Sequence, residues 1–274
     1  MTHAHNATPP KPSPDDLRGV GVALAVYALW AISLVPAALL PLTITPLHLA
    51  GGVALILLRT FLCTGIFITA HDAMHGLAAP GHPRLNDALG ALCTRSYAGF
   101  SFGELRAAHH RHHDTPARDG DPDWHDGTHP GFWRWLLAFG GRYMRWSQIV
   151  IIAIAHNIGV RLLGVPEPQM WVFVWLPAVL SALQLFTFGT WMPHREPVGG
   201  HTNPHAARSS GFPPWLSFVT CYHFGYHLTH HAFPWIPWWR LPTGRRALVA
   251  SERTPTPSRT ETDPGRRRPR GTPG

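Results

Sequence analysis

Three groups of histidines in this chain have spacings that could grip metal. His227, His230 and His231, in YHLTHHAF, fall at i, i+3 and i+4, which sets imidazoles side by side on one helical face. His109, His112 and His113, in HHRHH, repeat that spacing, and His71 and His75, in HDAMHG, stand at i, i+4. The chain holds 20 histidines in 274 residues, and metal binding is the commonest physical use of such clustering. Eight imidazoles in these groups are too many for one ion. Neither cysteines nor the carboxylates of a hard-cation site accompany them. All-nitrogen ligation with open positions fits a redox-active pair of irons better than structural zinc, although zinc tolerates imidazole.

Other residues are candidates for supporting roles. His194, in WMPHREP, is a candidate ninth ligand, while His110 and His223 stand beside better-placed neighbours. His125, His129, His201 and His205 read as loop or supporting groups, and His156 with Asn157 as a hydrogen-bonding pair between apolar helices. Asp72, Asp114, Asp119, Asp121 and Asp123 are candidates to orient imidazoles. No GxSxG elbow or phosphate-binding glycine loop is present in a suitable context. With no flavin or haem motif either, electrons for redox chemistry must come from outside.

The elements that position these groups are apolar. Residues 20–42 and 49–70 are each long enough to cross a hydrocarbon layer of about 30 Å. Residues 148–163, a short run, and 170–192 follow, so the pattern predicts about four membrane helices in two hairpins. Pro36 is expected to kink the first, and Arg59 within the second is expected to face inward or be paired. Residues 132–146 alternate aromatic and basic side chains, as an amphipathic helix lying on the membrane would. Residues 233–239, rich in Trp and Pro, suit a membrane-water boundary.

Both short turns between spans lack Lys and Arg, whereas the basic residues lie with the termini and the histidines. The positive-inside rule therefore places both termini and every histidine group in the cytoplasm. The expected organisation is a disordered N-terminal tail over 1–16, a membrane domain over 17–242 and a basic disordered tail over 243–274. The net charge of +8 resides largely in that tail, without a nucleic-acid-binding motif, so contact with anionic lipid is expected and nucleic acid is not. Cys63, Cys93 and Cys221 have no CxxC spacing and read as reduced thiols.

The longer strings carry a resemblance. HDAMHG, HHRHH followed by DPDW at 121–124, FGTWMPHREP at 188–197 and YHFGYHLTHHAFPWIPWWRLP at 222–242 together resemble the membrane beta-carotene ketolases of bacteria and cyanobacteria, within the membrane fatty-acid desaturase and hydroxylase superfamily. The likeness runs from about the second span to Pro242. It implies an all-α membrane oxygenase whose cytoplasmic helical cap holds two iron ions and which uses O2 and an external reductant such as ferredoxin or a reductase.

Carried over, the ligands would be His71, His75, His109, His112, His113, His227, His230 and His231, with His194. The implied reaction oxidises C4 of a beta-ionone ring to a ketone, giving echinenone- or canthaxanthin-type carotenoids. Phe67, Phe100, Phe102, Phe186, Phe188, Trp191, Phe224 and Trp235 could line a channel for such a substrate. An acyl-lipid desaturase or hydroxylase, and a membrane protein handling zinc or copper, remain as alternatives.

Overall fold

The computed structural model describes residues 8–253, and within them every regular element is helical. Helix α1 (Arg18–Leu39), α2 (Pro46–Met74) and α7 (Glu167–His194) are long and apolar enough to cross a membrane, and α6 (Trp146–Leu162) is a shorter apolar helix. The expected four spans are therefore three long helices and one short one. Between them lie α3 (Pro83–Ala98), α4 (Phe102–Asp114) and α5 (Phe132–Tyr143); α8 (Pro214–Cys221), α9 (His227–Ala232) and α10 (Leu241–Arg253) follow α7.

Helix α1 breaks at Ser33, before Pro36. Proline has no N–H for the carbonyl four residues back, so the ladder fails one turn upstream of the ring. Thr45 caps the start of α2 by accepting from the His48 N–H, and Pro46 occupies the first turn, where its missing donor costs nothing. With 29 residues α2 extends about 43 Å, more than the hydrocarbon thickness of about 30 Å. That excess carries His71, in its last turn, and His75, just past its end, out of the span.

Helix α2 is the central element, packing against α1, α3, α4 and α7. Outward-facing apolar side chains remain uncovered, among them Ile44 at 92%, Leu47 at 80% and Leu162 at 76% exposure, as lipid-facing positions require. Arg59 meets the expectation made of it. It is 1% exposed, with Nε donating to the Phe173 carbonyl at 2.5 Å and Nη1 to Ser33 Oγ at 2.6 Å, so it joins α2 to both neighbouring spans. All three cysteines are buried and free.

Both expected tail boundaries shift. Residues 243–253 belong to α10, whose Arg245 guanidinium donates to the Phe212 carbonyl at 3.2 Å and lies over the Tyr226 ring. At the other end, Pro9 is buried, and its carbonyl accepts from the Trp235 indole at 2.9 Å. Polar composition hid both anchors, because each is made by one or two residues in an otherwise hydrophilic run. Residues 1–7 and 254–274, which include most of the tail arginines, lie outside the described residues.

Gly65 shows how tightly α2 is packed at mid-span, because a Cβ there would overlap the Tyr222 hydroxyl and approach Val26. Tyr222 holds a left-handed backbone (φ 48°) at the turn leading to the last histidine group. Gly65→Ala should cost about 1–3 kcal/mol and lower the midpoint of thermal unfolding in detergent by about 3 °C or more. An unchanged midpoint would show that Tyr222 moves aside freely.

Candidate metal centre

The histidines converge at the end of α2. Their ring nitrogens form two groups, His71, His75, His109 and His230, and His112, His194, His227 and His231, each with one nitrogen per residue within 4.8 Å of the others. Neither group is one sequence motif. Helix α4 gives His109 to the first group and His112 to the second, while α9 gives His230 to the first and His227 and His231 to the second. Residues three or four apart share a face but not a direction, so adjacent histidines on one helix diverge to neighbouring points.

Nitrogen faces nitrogen throughout. His75 Nε2 lies 2.8 Å from His109 Nε2, His112 Nε2 3.2 Å from His231 Nε2, and His231 Nε2 3.1 Å from His227 Nε2. His113 falls outside both groups but touches each. Its Nε2 is 3.0 Å from His230 Nε2, and its ring stacks on His231 at 4.2 Å.

Supporting contacts fix which nitrogen faces inward. Asp121 accepts from His112 Nδ1 at 3.0 Å through both oxygens, and since a carboxylate only accepts, His112 must present its Nε2 lone pair to the group. The Ala206 carbonyl accepts from His194 Nδ1 at 2.9 Å, leaving Nε2 buried and without a partner. Both ring nitrogens of His71 are likewise buried and unpartnered. Asp72 lies 3.7 Å from His71 and accepts from the Trp238 backbone N–H at 3.1 Å, tying the Trp-rich run to the first histidine group.

Burial pushes His75 down to about 3, and burial, followed by neighbouring imidazoles, also lowers His109, His227, His230 and His231. His112 is the exception. Burial opposes its protonation, but Asp123 and Asp121 outweigh that and raise it. Neutral rings with inward lone pairs and no other acceptable partner fit a pair of metal ions. The donor set is imidazole nitrogen, which suits iron, zinc or copper and not magnesium or calcium.

Of the acidic candidates, Asp72, Asp121 and Asp123 meet the histidines, with Asp123 4.0 Å from His112 Nδ1. Asp114 and Asp119 are exposed. His110 turns away to the Met74 carbonyl at 3.0 Å, His223 stacks on Tyr226, and His201 meets the His194 carbonyl at 3.2 Å. His156 accepts from the Trp175 indole at 3.0 Å, the inter-helix bond expected of it.

Beside the centre is an apolar cavity with an empty volume of about 820 Å³. His71, His109, His112 and His227 form one wall, and Phe67, Phe100, Phe186 and Phe224 contribute as expected. Phe102 instead packs in the core against α3, Phe188 and Trp191 line a neighbouring cavity, and Trp235 clusters with Ile236 and Leu241.

Tyr143 and Tyr97, which no motif or spacing marked, also line the cavity. Tyr143 donates to Asp123, and Tyr97 meets Ser181 Oγ at 3.1 Å. The last stretch of α7 before Met192, Phe186–Trp191, widens into π-helical turns, a geometry frequent at functional sites. There Gly189 admits the Phe224 ring so closely that a Cβ would stand 2.6 Å from it.

The fold and site together define a membrane protein with two buried histidine groups, each of a composition that could hold a metal ion. The model of the fatty acid desaturase family matches residues 44–164 and 141–256. A beta-carotene ketolase of Paracoccus sp. (strain N81106 / MBIC 01143) is 41% identical over 226 residues, covering 82% of this chain and 87% of that one. The beta-carotene ketolase of Paracoccus sp. (strain PC1) is 40% identical, covering 85% and 94%. A zeaxanthin 4-ketolase of Chlamydomonas reinhardtii is 39% identical over 86% of this chain, which spans 55% of that protein. The chain belongs to the fatty acid desaturase family, and within it to the branch that holds the beta-carotene ketolases.

Asp121 offers a direct test of the supporting contacts. Asp121→Asn keeps the shape but weakens the acceptor for His112, and should lower bound metal per chain about tenfold at limiting supply. Elemental analysis of the purified variant measures this, and full occupancy would remove Asp121 from the support of the centre.

Proposed function

We propose that the chain is a beta-carotene 4-ketolase, an O2-dependent oxidoreductase that converts the C4 methylene of a beta-ionone ring to a ketone. One observation carries the reading: the apolar cavity has members of both histidine groups as one of its walls, so a hydrocarbon ring can lie directly against the metal centre. The names of the 36–41% identical relatives support the same substrate class.

The proposed ligand set is His71, His75, His109 and His230 for one ion and His112, His194, His227 and His231 for the other, with His113 between them. When bound, two iron ions would supply O2 activation, with electrons from an external donor such as ferredoxin or a reductase. This chain's own residues perform the rest. Phe67, Phe100, Phe186 and Phe224 enclose the ring and keep water from it, while Asp121 and the Ala206 carbonyl hold His112 and His194 in orientation.

Two successive hydroxylations at C4 give a geminal diol that loses water to the ketone. Each takes one oxygen atom from O2, and the other leaves as water with the donor's electrons. The charge pattern supports a centre and both termini on the cytoplasmic side, where a soluble donor can reach it.

Expression in cells that accumulate beta-carotene should yield ketocarotenoids on pigment extraction, and His230→Ala should abolish them while leaving membrane insertion intact. Unchanged beta-carotene, with protein and two irons per chain both present, would overturn the reading. Altered fatty acids in the same extracts would point instead to an acyl-lipid desaturase or hydroxylase.

A further inference from the structure

Beyond the metal centre, a second cavity, with about 680 Å³ of empty volume, lies where α7 ends. Its lining includes Phe188, Trp191, Met192, Arg195, Arg208 and Ser210. Its polar side is a set of donors without acceptors. Arg208 Nε and the hydroxyl oxygens of Ser209 and Ser210 are buried and make no hydrogen bond. The Arg208 guanidinium is held in place, because Nη2 donates to the Met192 carbonyl at 3.2 Å and the Arg195 carbonyl at 2.9 Å, which leaves Nε free.

Arg195 lies over the Trp191 ring, 4.7 Å from its centroid. Among the described residues neither arginine pairs with a carboxylate; the arginines that do are Arg18, Arg106 and Arg145. The Ser210 N–H donates to the Gly225 carbonyl at 2.7 Å, and a Cβ on Gly225 would press on Ser210 Oγ at 3.0 Å, so the backbone there leaves the hydroxyl room.

Two unneutralised guanidinium groups and three idle donors around one cavity call for a ligand that is anionic and rich in acceptor oxygens. Each buried donor left without an acceptor is unfavourable, and such a ligand satisfies it. A carboxylate holds its two oxygens in one plane, whereas a phosphodiester sets two charged and two ester oxygens tetrahedrally, so that they can meet the Arg208 Nε–H and the two hydroxyls from different directions. The other side of the cavity is apolar and comes from the final turns of a membrane-length helix, with Trp191 suited to the headgroup level. Basic pockets at that depth bind anionic lipid headgroups.

We propose that this cavity binds the phosphate group of a membrane phospholipid, with Arg195, Arg208, Ser209 and Ser210 on the headgroup and Phe188, Trp191 and Met192 along the start of an acyl chain. The proposal depends on the membrane placement of α7 and not on the carotenoid reading. It also bears on the centre, since the segment carrying Arg208 begins at Ala206, whose carbonyl orients His194.

The test is native mass spectrometry of the full-length protein in detergent, titrated separately with phosphatidylglycerol, diacylglycerol and inorganic phosphate. Phosphatidylglycerol should bind in a one-to-one complex, diacylglycerol should not, and inorganic phosphate should compete only weakly. Arg208→Gln and Arg195→Gln should each raise the apparent Kd for phosphatidylglycerol about tenfold, the scale of one charge-assisted hydrogen bond. If Arg208→Gln fails to fold, Arg195→Gln and the pair Ser209→Ala, Ser210→Ala still decide the matter.

Diacylglycerol binding as tightly as phosphatidylglycerol, or variants indistinguishable from the parent, would overturn the site. Inorganic phosphate binding as tightly as the lipid would overturn the lipid as its source.

Discussion

Everything in this molecule answers to one constraint, that nine imidazole rings be packed nitrogen to nitrogen inside a protein without being charged. In water such rings would titrate near neutrality; here burial and neighbouring imidazoles drive His75, His109, His227, His230 and His231 toward the neutral form, while His112 is raised. Where one Nε2 faces another, a neutral pair is satisfied only if one of the two carries the proton, and rings whose Nδ1 already donates elsewhere, as in neutral His112 and His194, bring an acceptor alone. The helices must hold them there, and α2, α4 and α9 do so through buried contacts along the faces that carry the histidines. Cations between the nitrogens would satisfy those acceptors, and metal binding would then add to the stability of the fold.

Much of this was legible because its signals are periodic. Spacings of three and four residues announce a shared helical face, and runs of about twenty apolar residues announce spans, so the three histidine groups and the long helices could be placed from residue order alone. The division of labour within the groups could not. His109 and His112 lie on the same helix, yet serve different clusters because a three-residue step rotates the side chain by about 60° from its neighbour, enough to change target when two targets lie a few ångströms apart. His113 illustrates the converse: its spacing matches its neighbours, but its ring ends between the clusters. Tertiary distance settled these cases, and no local pattern encodes it.

The cavity shows a similar split. Its aromatic residues were readable as candidates, yet four of the eight proved to serve other packing, since an aromatic residue buries equally well against a core or a ligand. What distinguishes the true wall is the pairing of Asp123, from the DPDW string, with Tyr143, which no motif marked, and this puts one polar edge into an otherwise apolar space beside His112. Burial pushes the Asp123 carboxyl up, with His112 pulling the other way. An apolar chamber with one polar edge orients a flat hydrocarbon ring without gripping it, and that suits a substrate that must enter from lipid and leave to it.

The bond from the Trp235 indole to the Pro9 carbonyl spans 226 residues of chain. At translation rates of about 5–20 residues per second, the N-terminal segment waits on the order of 10–45 s for its partner to be made. His71 must likewise await His230, so neither histidine group is complete before α9 is made. A metal ion held by either group would therefore find its full set of ligands only late in synthesis, close to the point at which Trp235 becomes available to Pro9.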